Sequence, residues 1–81
     1  MQFRFKHMAK LPAWPHGKVI RALEKLGYEI IRQKGSHIRM HHLYKTAVTI
    51  PTHDIVAKGT LRKILRDAEI SVESLIDLSR M

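Results

Sequence analysis

Apolar residues recur at helical spacing in two parts of the chain and alternate with polar residues between them, which predicts two amphipathic helices flanking a sheet. The first helical stripe comprises Val19, Ile20, Leu23 and Leu26. Gly27 can end that helix in the left-handed conformation that glycine tolerates. The second stripe comprises Leu61, Ile64, Leu65 and Ala68. After it, Ser71 is a typical N-cap for a short last helix with Glu73 in its first turn.

Three strand-like segments occupy the central stretch, at residues 28–34, 36–42 and 46–51. The first has the β-branched Ile30 and Ile31 at its centre and is followed by Gly35, which supplies a turn. In the other two segments, alternate residues point to opposite faces of the sheet. One face receives Ile38, Met40, Val48 and Ile50, and the other receives His37, Arg39, His41, Ala47 and Thr49. Pro51 has no amide hydrogen to donate, so it should end the third strand or lie on an edge.

The order helix, three strands, helix and short helical tail predicts an α+β fold. Three consecutive strands joined by tight connections form an antiparallel meander, and two flanking helices can cover only one of its faces. The covered face must take the apolar side chains, so the open face presents a polar set consisting of His37, Arg39, His41 and Thr49. An 81-residue chain accommodates one such domain, which we assign to residues 17–81.

Residues 1–16 differ from the rest of the chain because Pro12 and Pro15 interrupt any regular helix. We predict an irregular arm here, in which residues 3–5 (FRF) can form a short edge strand. Trp14 lies between the two prolines, and we favour packing against the domain over stacking on a nucleobase as its role.

The charge balance is strongly positive, with 15 Lys and Arg against 7 Asp and Glu, a formal net charge of +8 and a pI near 10.3. Such an excess favours a phosphate backbone as partner, although an anionic membrane surface or an acidic protein also fits. The chain has no cysteine, which excludes disulfides and thiolate metal sites. No apolar run approaches the length of about 20 residues that a membrane span needs, and no segment resembles a signal peptide, so we expect a cytoplasmic protein.

Four motifs together resemble the HicA toxin family of bacterial and archaeal type II toxin–antitoxin systems. They are LEKLGY at 23–28, RQKGSH at 32–37, TIP at 49–51 and KGTLRKIL at 58–65, and the match runs from about residue 17 to about residue 78. The resemblance implies a fold similar to a double-stranded-RNA-binding domain (α-β-β-β-α), ribosome-independent cleavage of mRNA and inhibition by a HicB-type antitoxin. The active histidine of the family motif Gly-Ser-His maps onto His37. The arm before residue 17 and the MHH run at 40–42 depart from a typical member.

Residues 32–37 (RQKGSH) form a predicted basic hairpin, and the side chains in and next to it suit the chemistry of RNA cleavage. A histidine can take or give a proton near neutral pH, so His37 is the candidate general acid or general base. Lys34 and Arg39 can hold the scissile phosphate and its developing charge. The backbone amides around Gly35 and Ser36 can add hydrogen-bond donors, since glycine lets the chain approach a phosphate closely.

A second proton carrier is not evident from the sequence. His41, taken as the next residue on the same strand face, is the nearest histidine by sequence and is expected about 6–7 Å from His37 along the strand, within reach of it. His53 is the other candidate if its loop folds back, and water is the remaining one. The six histidines also suggest a metal site, but no carboxylate or cysteine accompanies His37 and His41 and the strand spacing fits no common zinc site. We therefore expect no metal and no cofactor.

Lys58, Arg62 and Arg66 recur every four residues and form a basic ridge on the second helix, which either tracks phosphates or is simply solvated. Two functions from different classes fit the whole pattern. The first is a metal-independent, HicA-like endoribonuclease that acts on mRNA through His37 and uses Lys34, Gly35, Ser36, Arg39, His41 and the basic ridge to bind RNA. The alternative is a non-catalytic module that recognises duplex RNA by shape and phosphate contacts.

Overall fold

The computed structural model describes residues 13–81, which form three helices and five strands. In chain order these are β1 (Trp14–Pro15), α1 (His16–Leu26), β2 (Glu29–Lys34), β3 (His37–His41), β4 (Val48–Pro51), β5 (Ile55–Val56), α2 (Lys58–Ala68) and α3 (Val72–Ser79). Strands β2, β3 and β4 make an antiparallel sheet in that order, and β1 pairs with β5 in a separate two-stranded sheet. The predicted α+β fold, similar to the α-β-β-β-α arrangement of a double-stranded-RNA-binding domain with a short C-terminal helix, is confirmed.

The hydrophobic core lies between one face of the three-stranded sheet and the helices. The sheet contributes the four predicted side chains, Ile38, Met40, Val48 and Ile50, all of which are buried. The helices contribute the apolar stripes, including Leu23 from α1, Leu61 and Leu65 from α2 and Leu75 from α3. Every buried residue in the described part of the chain is apolar or aromatic, so the polar residues of the sheet are left to its other face.

The small β1–β5 sheet was not predicted from the sequence. Trp14 and Pro15 fall in the predicted irregular arm, yet they pair with Val56 and Ile55, and Trp14 is buried as expected. Lys18 places its ammonium 4.6 Å from the centre of the Trp14 ring, a cation–π contact. Within the described residues, the first regular element therefore starts at Trp14. The proposed edge strand at residues 3–5 and the rest of the arm through residue 12 lie outside the described residues.

The end of α1 is fixed by a cluster around Gly27. Gly27 takes the left-handed conformation at φ 116° and its amide bonds the Glu24 carbonyl, as predicted for a glycine cap. The His42 ring lies against it: Nε2 is 3.2 Å from the Leu26 carbonyl oxygen, while Nδ1 accepts hydrogen bonds from the backbone amides of Tyr44 and Lys45. Because Nδ1 accepts, the ring proton lies on Nε2 and is donated to Leu26.

Tyr28 completes this corner. Its ring lies 5.0 Å from that of His42, and its hydroxyl donates a hydrogen bond to the Thr46 carbonyl oxygen at 2.7 Å. Burial raises the pKa of the Tyr28 hydroxyl, and the negative charges of Asp67 and Glu69 raise that pKa further. Because the pKa of Tyr28 is raised in the folded protein, the folded state favours the neutral hydroxyl. The stability that depends on this neutral hydroxyl is present below pH 10 and is lost as the pH rises above it.

The other predicted helix end is also observed. Ser71 caps α3, its hydroxyl oxygen accepting a hydrogen bond from the Ser74 amide at 3.0 Å. Across residues 13–81, no helix combines the length and the apolar character that crossing a membrane requires.

Replacing Gly27 with alanine should destabilise the fold. An added Cβ would lie 2.8 Å from Nε2 of His42, and a side chain is strained at this positive φ. The His42 ring cannot move away without losing its hydrogen bonds to the chain. We expect a loss of about 1–3 kcal/mol in the free energy of unfolding measured with urea.

Gly59→Ala is the matched control, because this glycine lies inside α2 with nothing within 4 Å of an added Cβ. Alanine there should leave stability unchanged or raise it by about 0.5–1 kcal/mol. Equal losses for the two variants would contradict the role assigned to the Gly27 corner.

Candidate nucleic-acid interface

The hairpin between β2 and β3 turns through only two residues, Gly35 and Ser36. Gly35 has φ 57°, so the left-handed backbone falls on the first turn residue, which is where type II′ hairpins place glycine. The Thr52 amide donates a hydrogen bond of 2.7 Å to the Ser36 carbonyl oxygen, which attaches the turn to the end of β4. Nothing lies within 4 Å of the position of a Cβ on Gly35, so a ligand can approach the backbone of this turn.

A β-bulge determines which side chains of β2 face the open side. Ile30 pairs with Met40, but the next pair is Arg32 with Arg39, so Ile31 is the extra residue. Residues paired directly across an antiparallel sheet share a face, and the bulge therefore puts Arg32 and Lys34 on the same open face as Arg39 and His37. Without it, Arg32 would pair with Ile38 on the covered face.

The open face carries two rows of directly paired residues. One row runs Arg32, Arg39, Thr49 and the other runs Lys34, His37, Pro51. Arg39 Nη1 donates a hydrogen bond to Thr49 Oγ1 at 2.9 Å, which orients the guanidinium along the sheet. Like charges directly opposite one another, as in Arg32 and Arg39, destabilise a sheet. An anion bound between them would remove that repulsion.

These side chains surround one depression on the sheet, with a volume of about 470 Å³. Its lining consists of Arg32, Lys34, His37, Arg39 and Thr49. Three cations, one imidazole and one hydroxyl therefore converge without a carboxylate among them. This set can bind a phosphate by charge-assisted hydrogen bonds and can move a proton at the same place.

The structure brings together only part of the residue set proposed from the sequence. Lys34, His37 and Arg39 line the depression, and Gly35 and Ser36 form the turn beside it. His41 is four residues from His37 along a continuous strand, which is about 13 Å, and it lines a different depression together with Glu29 and His42. The expectation that His41 lies within reach of His37 is therefore wrong, because same-face residues are spaced by two positions and His41 is two such steps away.

The basic ridge of α2 lies apart from the depression. At 3.6 residues per turn, Lys58, Arg62 and Arg66 occupy one flank of the buried stripe of α2, and none of them lines the depression. His53 does not line it either, and its carbonyl oxygen lies 2.7 Å from Nδ1 of His16. A role for the ridge in binding RNA thus stays a prediction that requires a longer RNA than the depression can hold.

Two lining residues were not assigned to the site from the sequence. Arg32 is not in the predicted set, although it is two residues from Lys34 and residues at that spacing share a face in a strand. Thr49 was correctly placed on the open face, but its hydrogen bond to Arg39 depends on cross-strand register, which the sequence does not specify. Among residues 13–81, no group of three or more His, Asp or Glu side chains is arranged to hold a metal ion.

Comparison with protein families agrees with the sequence motifs. The model of the family described as "HicA toxin of bacterial toxin-antitoxin" matches residues 17–70, about two thirds of the chain. That range contains every residue that lines the depression. A comparison with curated proteins found no match.

Replacing Arg32 with glutamine should weaken the binding of single-stranded RNA. Removing one phosphate contact should lower the slope of log affinity against log salt by about 0.7. Fluorescence anisotropy of a labelled RNA measures both quantities, in a His37→Ala background so that the cleavage predicted for His37 does not degrade the RNA. Arg21→Gln is the matched control, because Arg21 is exposed on α1, the helix that covers the other face. The same change of slope in both variants would contradict a localised phosphate site.

Proposed function

Because the chain belongs to the HicA toxin family, we propose that this toxin is an endoribonuclease that cleaves mRNA with His37 as the proton-transfer residue. The observation that carries the proposal is the depression on the uncovered sheet face, where His37 lies among Arg32, Lys34 and Arg39 without a neighbouring carboxylate. A pure binding surface needs cations there, but it has no need of a titratable imidazole beside them.

The reaction is a transesterification within the RNA chain. The 2′-oxygen of a ribose forms a bond to the adjacent phosphorus as the bond from phosphorus to the 5′-oxygen breaks. One proton leaves the 2′-hydroxyl and one reaches the departing 5′-oxygen, so the step needs no co-reactant. His37 is exposed at the start of β3 and carries out one of these transfers, which contributes on the order of 10²–10⁴-fold to the rate.

The cations around His37 act on the phosphate. Arg39, held by Thr49 at 2.9 Å, and Lys34, paired directly with His37 across the hairpin, stabilise the charge that develops on the phosphorus oxygens in the transition state. The turn amides at Gly35 and Ser36 add fixed donors. This charge stabilisation by residues of the chain itself is the reason we propose that cleavage needs no metal ion.

The second proton transfer is assigned to water. Within the described residues, His37 is the only histidine that lines the depression, and His41 is about 13 Å away. Without a positioned second group, cleavage should be slow compared with that of nucleases that use two proton-transfer residues. A slow nuclease remains toxic if nothing inhibits it, which is consistent with control by an antitoxin.

We propose a HicB-type antitoxin of acidic character as the inhibitor. The net charge of +8 and the cationic depression favour an acidic partner that covers the open face and excludes RNA. Toxin, antitoxin and mRNA would meet in the cytoplasm.

His37→Ala should abolish growth arrest and lower the rate of RNA cleavage by at least about 10²-fold. Folding and RNA binding should persist, because the side chain is exposed and the neighbouring cations remain. His41→Ala is the informative comparison: it should at most raise the RNA concentration needed for half-maximal rate while keeping the maximal rate. The cleavage rates of both variants are measured with purified protein and a defined RNA in EDTA, where the wild type should still cleave.

Undiminished toxicity of His37→Ala would refute the catalytic assignment. A wild-type protein that binds RNA tightly but leaves it intact would support the non-catalytic binding module instead. Loss of cleavage in EDTA, restored by a divalent cation, would refute the metal-independent mechanism alone.

Reversing two charges of the depression should disrupt the antitoxin complex. We expect Arg32→Glu combined with Arg39→Glu to weaken binding of the cognate antitoxin about tenfold or more, measured by calorimetry, because acidic side chains of the partner would meet like charges. Arg21→Glu combined with Arg80→Glu makes the same change of net charge at exposed residues of α1 and the C-terminus. If both double variants bind the antitoxin equally, the antitoxin does not act by covering the depression.

A further inference from the structure

A second groove lies beside the depression, between the edge of β4 and helix α2, with a volume of about 290 Å³. Its floor is apolar, formed by the buried Val48 and Ile64, and its sides are Ala47 and Thr60. Lys63 and Asp67 lie on its rim. Arg39 and Thr49 line both the groove and the depression, so the two hollows adjoin at this pair of residues.

The sequence of α2 explains why this groove differs from the basic ridge. Thr60, Lys63 and Asp67 follow one another at spacings of three and four residues, which places them on one flank of the helix. Lys58, Arg62 and Arg66 occupy the opposite flank of the buried stripe. The flank with Thr60, Lys63 and Asp67 is the one that faces β4. The side of α2 next to the open face of the sheet therefore carries a carboxylate as well as a cation.

The chemistry of the groove does not suit another phosphate. The Asp67 carboxylate would repel it, in contrast to the depression, where no carboxylate lines the surface. A nucleobase fits better, since its faces are apolar and its edges carry hydrogen-bonding groups. Single-stranded RNA is recognised mostly through splayed bases that are bound in this way.

Asp67 defines which base edge the groove can bind. Lys63 Nζ donates to Asp67 Oδ2 at 3.0 Å, which uses one carboxylate oxygen and leaves Oδ1 able to accept a hydrogen bond from a ligand. A carboxylate only accepts hydrogen bonds. It therefore favours a base with an exocyclic amino group (adenine, cytosine or guanine) and disfavours uracil, whose one donor on this edge, N3–H, is flanked by two carbonyl oxygens that a carboxylate repels.

We propose that the groove between β4 and α2 is a base-binding subsite that holds the nucleotide next to the scissile phosphate and selects an amino-bearing base through Asp67. The inference rests on the proposed ribonuclease function. Arg39 connects the two sites, since a phosphate bound by its guanidinium would have the neighbouring base at the entrance of the groove. Cleavage positions would then show a preference at one nucleotide flanking the cut.

Mapping of RNA cleavage sites tests the subsite. A pool of RNA of random sequence is digested with wild-type protein, and the nucleotides flanking each cut are counted by sequencing. We expect uracil to be disfavoured at one flanking position by roughly tenfold, the order of one hydrogen-bonded base contact. Asp67→Asn, which keeps the shape of the side chain and adds a donor, should abolish this discrimination while cleavage continues.

Asp77→Asn is the matched control, because this exposed aspartate lies on α3, away from the sheet surface, and the variant should retain the wild-type preference. An Asp67→Asn variant with the wild-type preference, whether it cleaves quickly or slowly, would overturn the subsite and leave the ribonuclease function standing. A wild type that cleaves without flanking preference would overturn it too. Absence of any cleavage by the wild type would instead refute the proposed function, and the subsite with it.

Discussion

The one-sided coverage of the three-stranded sheet is the constraint on which the rest of the molecule depends. Helices pack on one face only, so alternate residues of β3 and β4 must be apolar and the residues between them are released from packing. Met40 and Ile50 are fully buried on one side, whereas Arg39 and Thr49, their sequence neighbours, meet on the other. Because no element within residues 13–81 covers that side, several cations can gather there without the desolvation cost that burial would impose.

The open face also contains an arrangement that folding alone does not favour. Arg32 stands directly opposite Arg39 because a bulge at Ile31 shifts the register of β2, and like charges in such a pair are destabilising. The shift brings Arg32 and Lys34 to the side where His37 lies. Together with the family membership, this clustering of cations indicates that the open face binds anions. The modest loss of stability from the Arg32–Arg39 repulsion would be offset when RNA neutralises these charges.

Much of the fold could be predicted because it depends on strong periodicity. The alternation from Ile38 to Met40 and the helical stripes specify which faces are buried, and Gly27 and Ser71 mark helix ends through their own backbone and side-chain chemistry. The pairing of Trp14 with Val56 could not be predicted, because two-residue strands have no period to detect. The bulge at Ile31 could not be predicted for a related reason. Every residue of β2 is exposed, so β2 has no pattern of buried side chains from which its pairing register with β3 could be inferred.

The site could be predicted where it follows from alternation along one strand. His37 and Arg39 are two residues apart on β3, and both line the depression. Arg32 and Thr49 join them only through cross-strand pairing, and Lys63 and Asp67 approach only because α2 packs beside β4. Sequence spacing thus identified the centre of the site, while its borders depend on contacts between elements that are distant in the chain.

The chemical nature of the RNA ends after cleavage tests the central claim most directly. In the proposed reaction, attack by the ribose 2′-oxygen produces a 2′,3′-cyclic phosphate on one fragment and a 5′-hydroxyl on the other, and mass spectrometry of a short RNA distinguishes these ends. We predict both, together with resistance of an RNA that carries 2′-deoxyribose at the cleaved position. A 5′-phosphate with a 3′-hydroxyl, or unimpaired cleavage of the deoxy substrate, would contradict the account, because water and not the ribose would then be the nucleophile.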